Sequence, residues 1–150
     1  MSEITEPTQW FTDAVNAPHQ DVYADIKGSK VHYLAWGAPT KQGVILVHGN
    51  GAHARWFQFI GPLLADDYHV ASLDLSGMGD SAWRDNYVRE TFADDIWGVC
   101  EHAGMQRPII AAHSFGGLVG MIAAHQHSQN MNGMVYMDYV PLPPERHVEW

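Results

Sequence analysis

The stretch Pro108–Val119, PIIAAHSFGGLV, constrains this chain more than any other. Ile109 to Ala112 form a short apolar run of the kind required by a strand buried on both faces. Beyond it, Phe115, Leu118, Val119 and Ile122 recur at helical spacing. A strand must therefore pass into a helix almost without a loop, and Ser114 occupies the junction. Small neighbours permit a strained backbone at such a turn, which lifts the serine side chain clear of the sheet. Gly116 and Gly117 let the helix lie close to the neighbouring strands. The turn follows the pattern G-x-S-x-G with Ala112, the smallest substitute, in place of the first glycine. An ordinary strand-to-helix turn with a capping serine is the competing reading of this stretch alone.

Two upstream motifs weigh against that simpler reading. The apolar strand Gly43–Val47 runs into His48-Gly49-Asn50-Gly51-Ala52, and the apolar strand Val70–Leu73 runs into Asp74-Leu75-Ser76-Gly77-Met78-Gly79-Asp80-Ser81. Taken in order, strand-HGNG, strand-DxxGxGxS and strand-xHSxGG resemble the α/β-hydrolase superfamily, in its serine-nucleophile branch, across most of the chain. The resemblance implies an α/β-hydrolase fold, a mostly parallel sheet with helices on both faces. It also implies that this chain holds only the N-terminal portion, with the cap and last strands absent.

The same resemblance assigns roles. Ser114 is the candidate nucleophile at a nucleophile elbow. The backbone N–H groups of Asn50 and Phe115 are the candidate oxyanion hole, with Gly51 a weaker second donor. Each such donor is typically worth roughly 3 kcal/mol of transition-state stabilisation. The triad runs serine, acid, histidine, so the histidine is expected beyond Trp150. The acid is expected there too, with Asp138, at the end of the sixth strand, as the alternative. A serine at 114 disfavours the branches with an aspartate nucleophile, the dehalogenases and epoxide hydrolases. The implied activity is that of a carboxylesterase-like hydrolase, acting on an ester-like or other acyl or C–C substrate. Two other readings remain open: a non-catalytic ligand-binding receptor on the same fold, and an inactive fragment of a larger hydrolase. No metal or organic cofactor is implied.

The bounds agree with this. A chain of 150 residues accommodates one domain with a real core. The aromatic content of 11%, with six tryptophans, suits an apolar pocket for a small-molecule substrate. A formal net charge of −9 argues against nucleic acid and against charge-driven docking on anionic membranes. The one cysteine, Cys100, has no internal disulfide partner, which fits a reducing cytoplasm; it falls on the apolar stripe of a helix. No basic-then-apolar leader opens the chain, and no apolar run reaches about 18 residues, so a cytoplasmic protein with no membrane segment is expected.

In chain order, residues 1–18 read as a loose polar arm, pinned by Trp10 and Phe11. Residues 19–140 form the core and 141–150 the start of a cap region. Asp21–Ile26 and Lys30–Trp36 read as a hairpin turning at Lys27-Gly28-Ser29. A helix carrying Trp56, Phe57, Ile60, Leu63 and Leu64 on its buried face is expected, bent or shortened by Pro62. A second helix spans Val88 to Ala103 and stops at Gly104. The helix after Ser114 runs to about Ser128. Gly133–Met137 is a continuously apolar sixth strand, better suited to the centre of a sheet than to an exposed edge. The remaining segment of the fold, from the same protein or a second chain, is therefore an expected partner.

Other chemistry-bearing residues read as structural. His113 leaves its strand on the face opposite the nucleophile. His48 braces the loop after its strand, as its family counterpart does. His125 and His127 point apart on a helix and make a poor metal pair. His53 reads as a solvated loop residue, and Asp74 and Asp80 as braces of their own turn. Trp56, Trp83, Phe115 and Tyr139 are candidate pocket walls.

Overall fold

The computed structural model describes residues 6–140. They build one six-stranded sheet in the order β1-β2-β4-β3-β5-β6. Strands β1 (Gln20–Ile26) and β2 (Ser29–Trp36) form the expected hairpin. Its turn places Lys27 at φ 51° and Gly28 at φ 77°, and paired left-handed residues give a two-residue turn the twist that antiparallel strands need. β2 lies antiparallel to β4 (Tyr68–Leu73), whereas β3 (Gln42–Val47), β4, β5 (Ile109–His113) and β6 (Gly133–Met137) run parallel.

The apolar runs of β3, β4 and β5 follow from cover on both faces. On one face, Ile45, Val47, Leu73 and Ile110 pack beneath α3 (Arg89–His102) and α4 (Phe115–Gln126), against Ile96, Val99 and Val119. On the other, Leu34, Trp36, Leu46, Val70 and Ala111 pack with Ala54 and Phe57. Alternate residues of one strand thus feed two cores, and each fully buried aliphatic side chain contributes about 1.5–3 kcal/mol. Trp97 joins the two helices by donating its indole N–H to the Ala123 carbonyl at 2.8 Å.

Three elements differ from the sequence reading. The helix expected from Trp56 to Leu64 is split into a 3₁₀ turn, Ala54–Phe57, and a short α2, Gly61–Leu64. Pro62 has no N–H to offer a preceding turn, so it opens a helix and does not continue one. Trp56 and Leu63 consequently stand 52% and 60% exposed and are not buried. The expected loose arm contains a helix, α1 (Gln9–Val15), tied down by a Phe11–Phe59 ring contact at 5.5 Å and by Gln58 Nε2 donating to the Val15 carbonyl. Finally, β6 is the edge of the sheet among the described residues, with Val135 and Tyr136 exposed. The reading of 141–150 as the start of a cap lies outside those residues.

Helix α3 carries a fully buried charge, Asp95, on its inward face. Its carboxylate accepts the Ser76 backbone N–H at 2.9 Å and the Arg84 guanidinium at 2.7 Å. Arg84 also donates to Ser76 Oγ and to the Ile26 carbonyl, joining the loop after β4 to α3 and the hairpin. Burial pushes the Asp95 carboxyl upward despite these hydrogen bonds. Removing one member of a buried ion pair leaves the other uncompensated. Asp95→Ala is expected to cost about 3–5 kcal/mol in urea unfolding, with Asp95→Asn costing less. A midpoint unchanged in Asp95→Ala would show that this network does not hold the loop.

Candidate functional site

The strand-to-helix junction has the strained geometry that its sequence requires. Ser114 sits at φ 52° and ψ −117°, a conformation that residues other than glycine adopt only under constraint. Both of its peptide groups are fixed. Its N–H donates to the Met137 carbonyl at the end of β6, and its carbonyl accepts the Gly117 N–H at 2.8 Å. The strain comes from how closely α4 crosses β3. A Cβ on Gly116 would lie 2.5 Å from the His48 carbonyl oxygen and 2.8 Å from that of Val47. Any larger residue at 116 would push the helix off the sheet.

The loop after β3 meets Ser114 at Gly49, where a Cβ would come 3.3 Å from the Ser114 Cβ and 3.0 Å from His113 Nδ1. Asn50 is exposed on this loop, and its backbone N–H has no hydrogen-bond partner among the described residues. Gly51 takes φ 67°. Phe115 opens α4 and sets its ring edge-on against Phe92 at 5.4 Å. His48 is fully buried and braces the loop, as the sequence suggests. Its Nδ1 lies 2.7 Å from the Gly49 carbonyl, and its Nε2 lies 3.1 Å from the Leu75 backbone N–H. Nδ1 must carry the hydrogen and Nε2 must accept, which fixes a neutral imidazole. Burial lowers its pKa, consistent with that state.

Asp74 reaches well beyond its own turn. It accepts the Asp80 N–H at 2.8 Å, as expected of a turn brace, and also the Ala54 N–H at 2.5 Å and His32 Nδ1 at 2.7 Å. Ser72 Oγ holds the Ala54 carbonyl from the other side. The loop carrying Asn50 is therefore anchored at both ends to β4 and the segment that follows it. His32, Asp74 and Asp80 come close enough to suggest a cation site. Both His32 nitrogens already face carboxylates, however, and both Asp74 oxygens already accept amides, so these donor atoms are engaged with one another and with the backbone.

His113 leaves β5 toward the 3₁₀ turn, with its ring 5.5 Å from that of Trp56, and together with Phe57, Phe59 and Ile60 it lines an apolar hollow of about 480 Å³. Its Nδ1 is buried without a partner among the described residues, and its Nε2 lies 4.0 Å from the exposed carboxylate of Asp138. Asp138 follows β6 at φ 51°. Tyr139 packs on Gly117 of α4, and His53 precedes the 3₁₀ turn. The structure thus gathers Ser114, the Gly49 loop, Phe115, Trp56 and the end of β6. Trp83 stands apart and exposed, and His127 packs on Trp97. His32 is the residue that the sequence reading passed over. Its one visible signal is a polar side chain within the otherwise apolar run of β2, V-H-Y-L-A-W.

Backbone strain at Ser114 makes a stability prediction. A residue held in so sparse a region costs about 1–3 kcal/mol, which glycine would not incur. Glycine gives back about 0.5–1 kcal/mol through the entropy of the unfolded chain. Ser114→Gly is therefore expected to raise stability by about 1 kcal/mol, read as a higher urea midpoint. A lower midpoint would mean that the serine side chain stabilises the turn by more than its backbone strains it.

A family model, that of the α/β hydrolase fold, matches residues 43–150. An uncharacterized hydrolase, YugF, of Bacillus subtilis is 29% identical over 114 residues, covering 75% of this chain and 42% of that protein. A cis-3-alkyl-4-alkyloxetan-2-one decarboxylase of Xanthomonas campestris is 28% identical over 135 residues, covering 82% of this chain and 45% of that protein. The chain thus spans less than half the length of these relatives. Among solved structures, epoxide hydrolase A from Mycobacterium thermoresistibile superposes with a TM-score of 0.79 at 22% identity, over 84% of this chain and 41% of that one, a likeness of fold alone. With the strand order, the strained serine and the family match in agreement, the chain belongs to the α/β-hydrolase fold family.

Proposed function

We propose that the protein is a serine hydrolase that cleaves an ester-like or other acyl or C–C substrate, with Ser114 as nucleophile. The observation that carries this reading is the positive-φ serine between β5 and α4, beside the Gly49 loop. A histidine from polypeptide beyond residue 150 takes the Ser114 Oγ proton, and Oγ attacks the carbonyl carbon. The backbone N–H groups of Asn50 and Phe115 hold the oxyanion, the leaving group takes the proton from the histidine, and water then releases the acyl-enzyme. The triad acid comes from the same downstream polypeptide, with Asp138 as the alternative. A serine at 114 favours this route over one through an aspartyl intermediate, for which a carboxylate would be needed there.

In this reading residues 19–140 are the N-terminal part of a larger hydrolase core, 1–18 an arm packed against it, and 141–150 the entry to a cap. The partner is the rest of the fold, supplied by the same protein or by a second chain. The outer edge of β6 and the hollow beside His113 support this, since both leave apolar surface for further polypeptide to cover. The net charge of −9 favours a small-molecule substrate over nucleic acid, and the lone, buried Cys100 is in keeping with a cytoplasmic setting. No helix among the described residues is long and apolar enough to cross a membrane.

An active-site serine probe, a fluorophosphonate, tests the assignment on the intact protein. Peptide mapping is expected to find the adduct on Ser114, and labelling is expected to vanish in Ser114→Ala while Ser76→Ala still labels. Absence of labelling in the folded wild-type protein, or an adduct on another serine, would overturn it.

A further inference from the structure

Both ring nitrogens of His32 meet carboxylates, and a carboxylate offers no hydrogen. Nδ1 lies 2.7 Å from Asp74 Oδ2 and Nε2 lies 3.2 Å from Asp21 Oδ1. The N–H groups of Ala54 and Asp80, each donated to one oxygen of Asp74, favour its ionised form, so the missing proton falls to the ring. A neutral imidazole would leave one of the two contacts without a hydrogen, so the geometry calls for an imidazolium. The other groups around it are consistent with that charge. Tyr23 of β1 lays its ring 4.9 Å from the imidazole, and the Lys30 ammonium lies 4.0 Å from the centre of that ring. Arg55, on the 3₁₀ turn, lies 3.5 Å from Asp21 and 3.7 Å from Asp80. His19 approaches Asp21 at 3.4 Å. Three carboxylates therefore surround His32 and Arg55.

We propose that His32 is a pH-sensitive positioning residue, an imidazolium whose two N–H groups clamp β1 and the Asp74 loop together and thereby set the segment that carries Asn50. The route is short. His32 holds Asp74, Asp74 holds the Ala54 amide, and Ala54 ends the Asn50 loop. On the other side, Asp21 and Arg55 join β1 to the same 3₁₀ turn. When the proton leaves, Nδ1–H stays with the buried Asp74, and the half-exposed Asp21 is the contact that is lost. The cluster then carries one more net negative charge, and Arg55 alone must balance it. Burial works against a charged His32, but its hydrogen bonds to Asp74 and Asp21, together with the charges of Asp74 and Asp80, outweigh burial and raise its pKa above 6.5.

The sign for stability follows. A histidine whose pKa is raised on folding stabilises the fold fully below 6.5, and that contribution disappears as pH rises through the folded-state value. That the clamped segment serves an oxyanion hole rests on the proposed hydrolase reading, but the clamp itself does not, so its test needs no turnover. On the intact protein, the His32 ring resonances are followed by NMR against pH, alongside the amide proton of Ala54. The His32 midpoint is expected above 6.5, and the Ala54 amide is expected to shift with that same midpoint. Asp21→Asn, a change at an exposed side chain, is expected to fold normally and move the midpoint down. The stability difference between wild type and His32→Gln is expected to narrow as pH rises. A His32 midpoint at or below 6.5, an Ala54 amide indifferent to it, or no change in Asp21→Asn would overturn the proposal. Failure of Ser114 to label would leave these observations standing and remove only the hydrolase reading.

Discussion

The approach of α4 to β3 governs the carboxyl end of this sheet. With Gly116 set against the carbonyls of Val47 and His48, the helix axis lies closer to the strands than any side chain at 116 would allow. A chain leaving β5 must then turn into that helix within one residue, and Ser114 supplies the turn at a positive φ. Strain of this kind persists only where its surroundings over-determine it. Here the Ser114 N–H is bonded across to β6 and its carbonyl forward into α4, so neither peptide plane can rotate without loss of a hydrogen bond.

The loops beside the elbow are fixed by a different means, buried polar side chains that bond backbone. His48 and His32 show how context divides one residue type into two charge states. His48 faces a carbonyl with one nitrogen and an N–H with the other, a pairing that only the neutral ring satisfies. His32 faces an acceptor with both, and only the charged ring satisfies that. The two meet the same segment from opposite ends, His48 through Gly49 and Leu75, His32 through Asp74 and Ala54. A loop held this way keeps its backbone donors in place before any ligand arrives, and preorganisation of that kind is where electrostatic stabilisation of a developing anion originates.

The amount of this that could be read in the sequence depended on the range of the interactions involved. Strand β5, the elbow and α4 were legible because their signals are local: an apolar run, small residues at a junction, and helical spacing. The hairpin and the α3 boundaries were legible for the same reason, with Gly104 ending α3 at φ 70°. The segment after the His48 loop was misjudged, since its apolar spacing fits a helix while Pro62 divides it and leaves Trp56 and Leu63 outside. Asp74 was read as a local brace because its partners at 54 and 32 are distant in sequence. Nothing in the string V-H-Y-L shows that its histidine will lie between two carboxylates. The arm was read as loose because a single turn or two of helix carries little periodicity, and what holds α1 is a ring contact with Phe59 and a hydrogen bond from Gln58, both distant in sequence.

Strands β5 and β6 end in register, and this gives the site its last constraint. His113 pairs with Met137, and the next residue on each strand, Ser114 and Asp138, turns at φ 52° and 51°. Two neighbouring strands thus bend out of the sheet at one level, joined by the Ser114 N–H to the Met137 carbonyl. At about 1–3 kcal/mol each, the two strained residues cost as much as one or two buried aliphatic side chains contribute. The buried β3, β4 and β5 core offsets that readily on one side of the junction. On the other side β6 hydrogen-bonds only to β5 among the described residues, with Met134 packed against α4 and Val135 and Tyr136 still exposed. The strand end on which the serine's own amide depends is thus the less supported side of the junction.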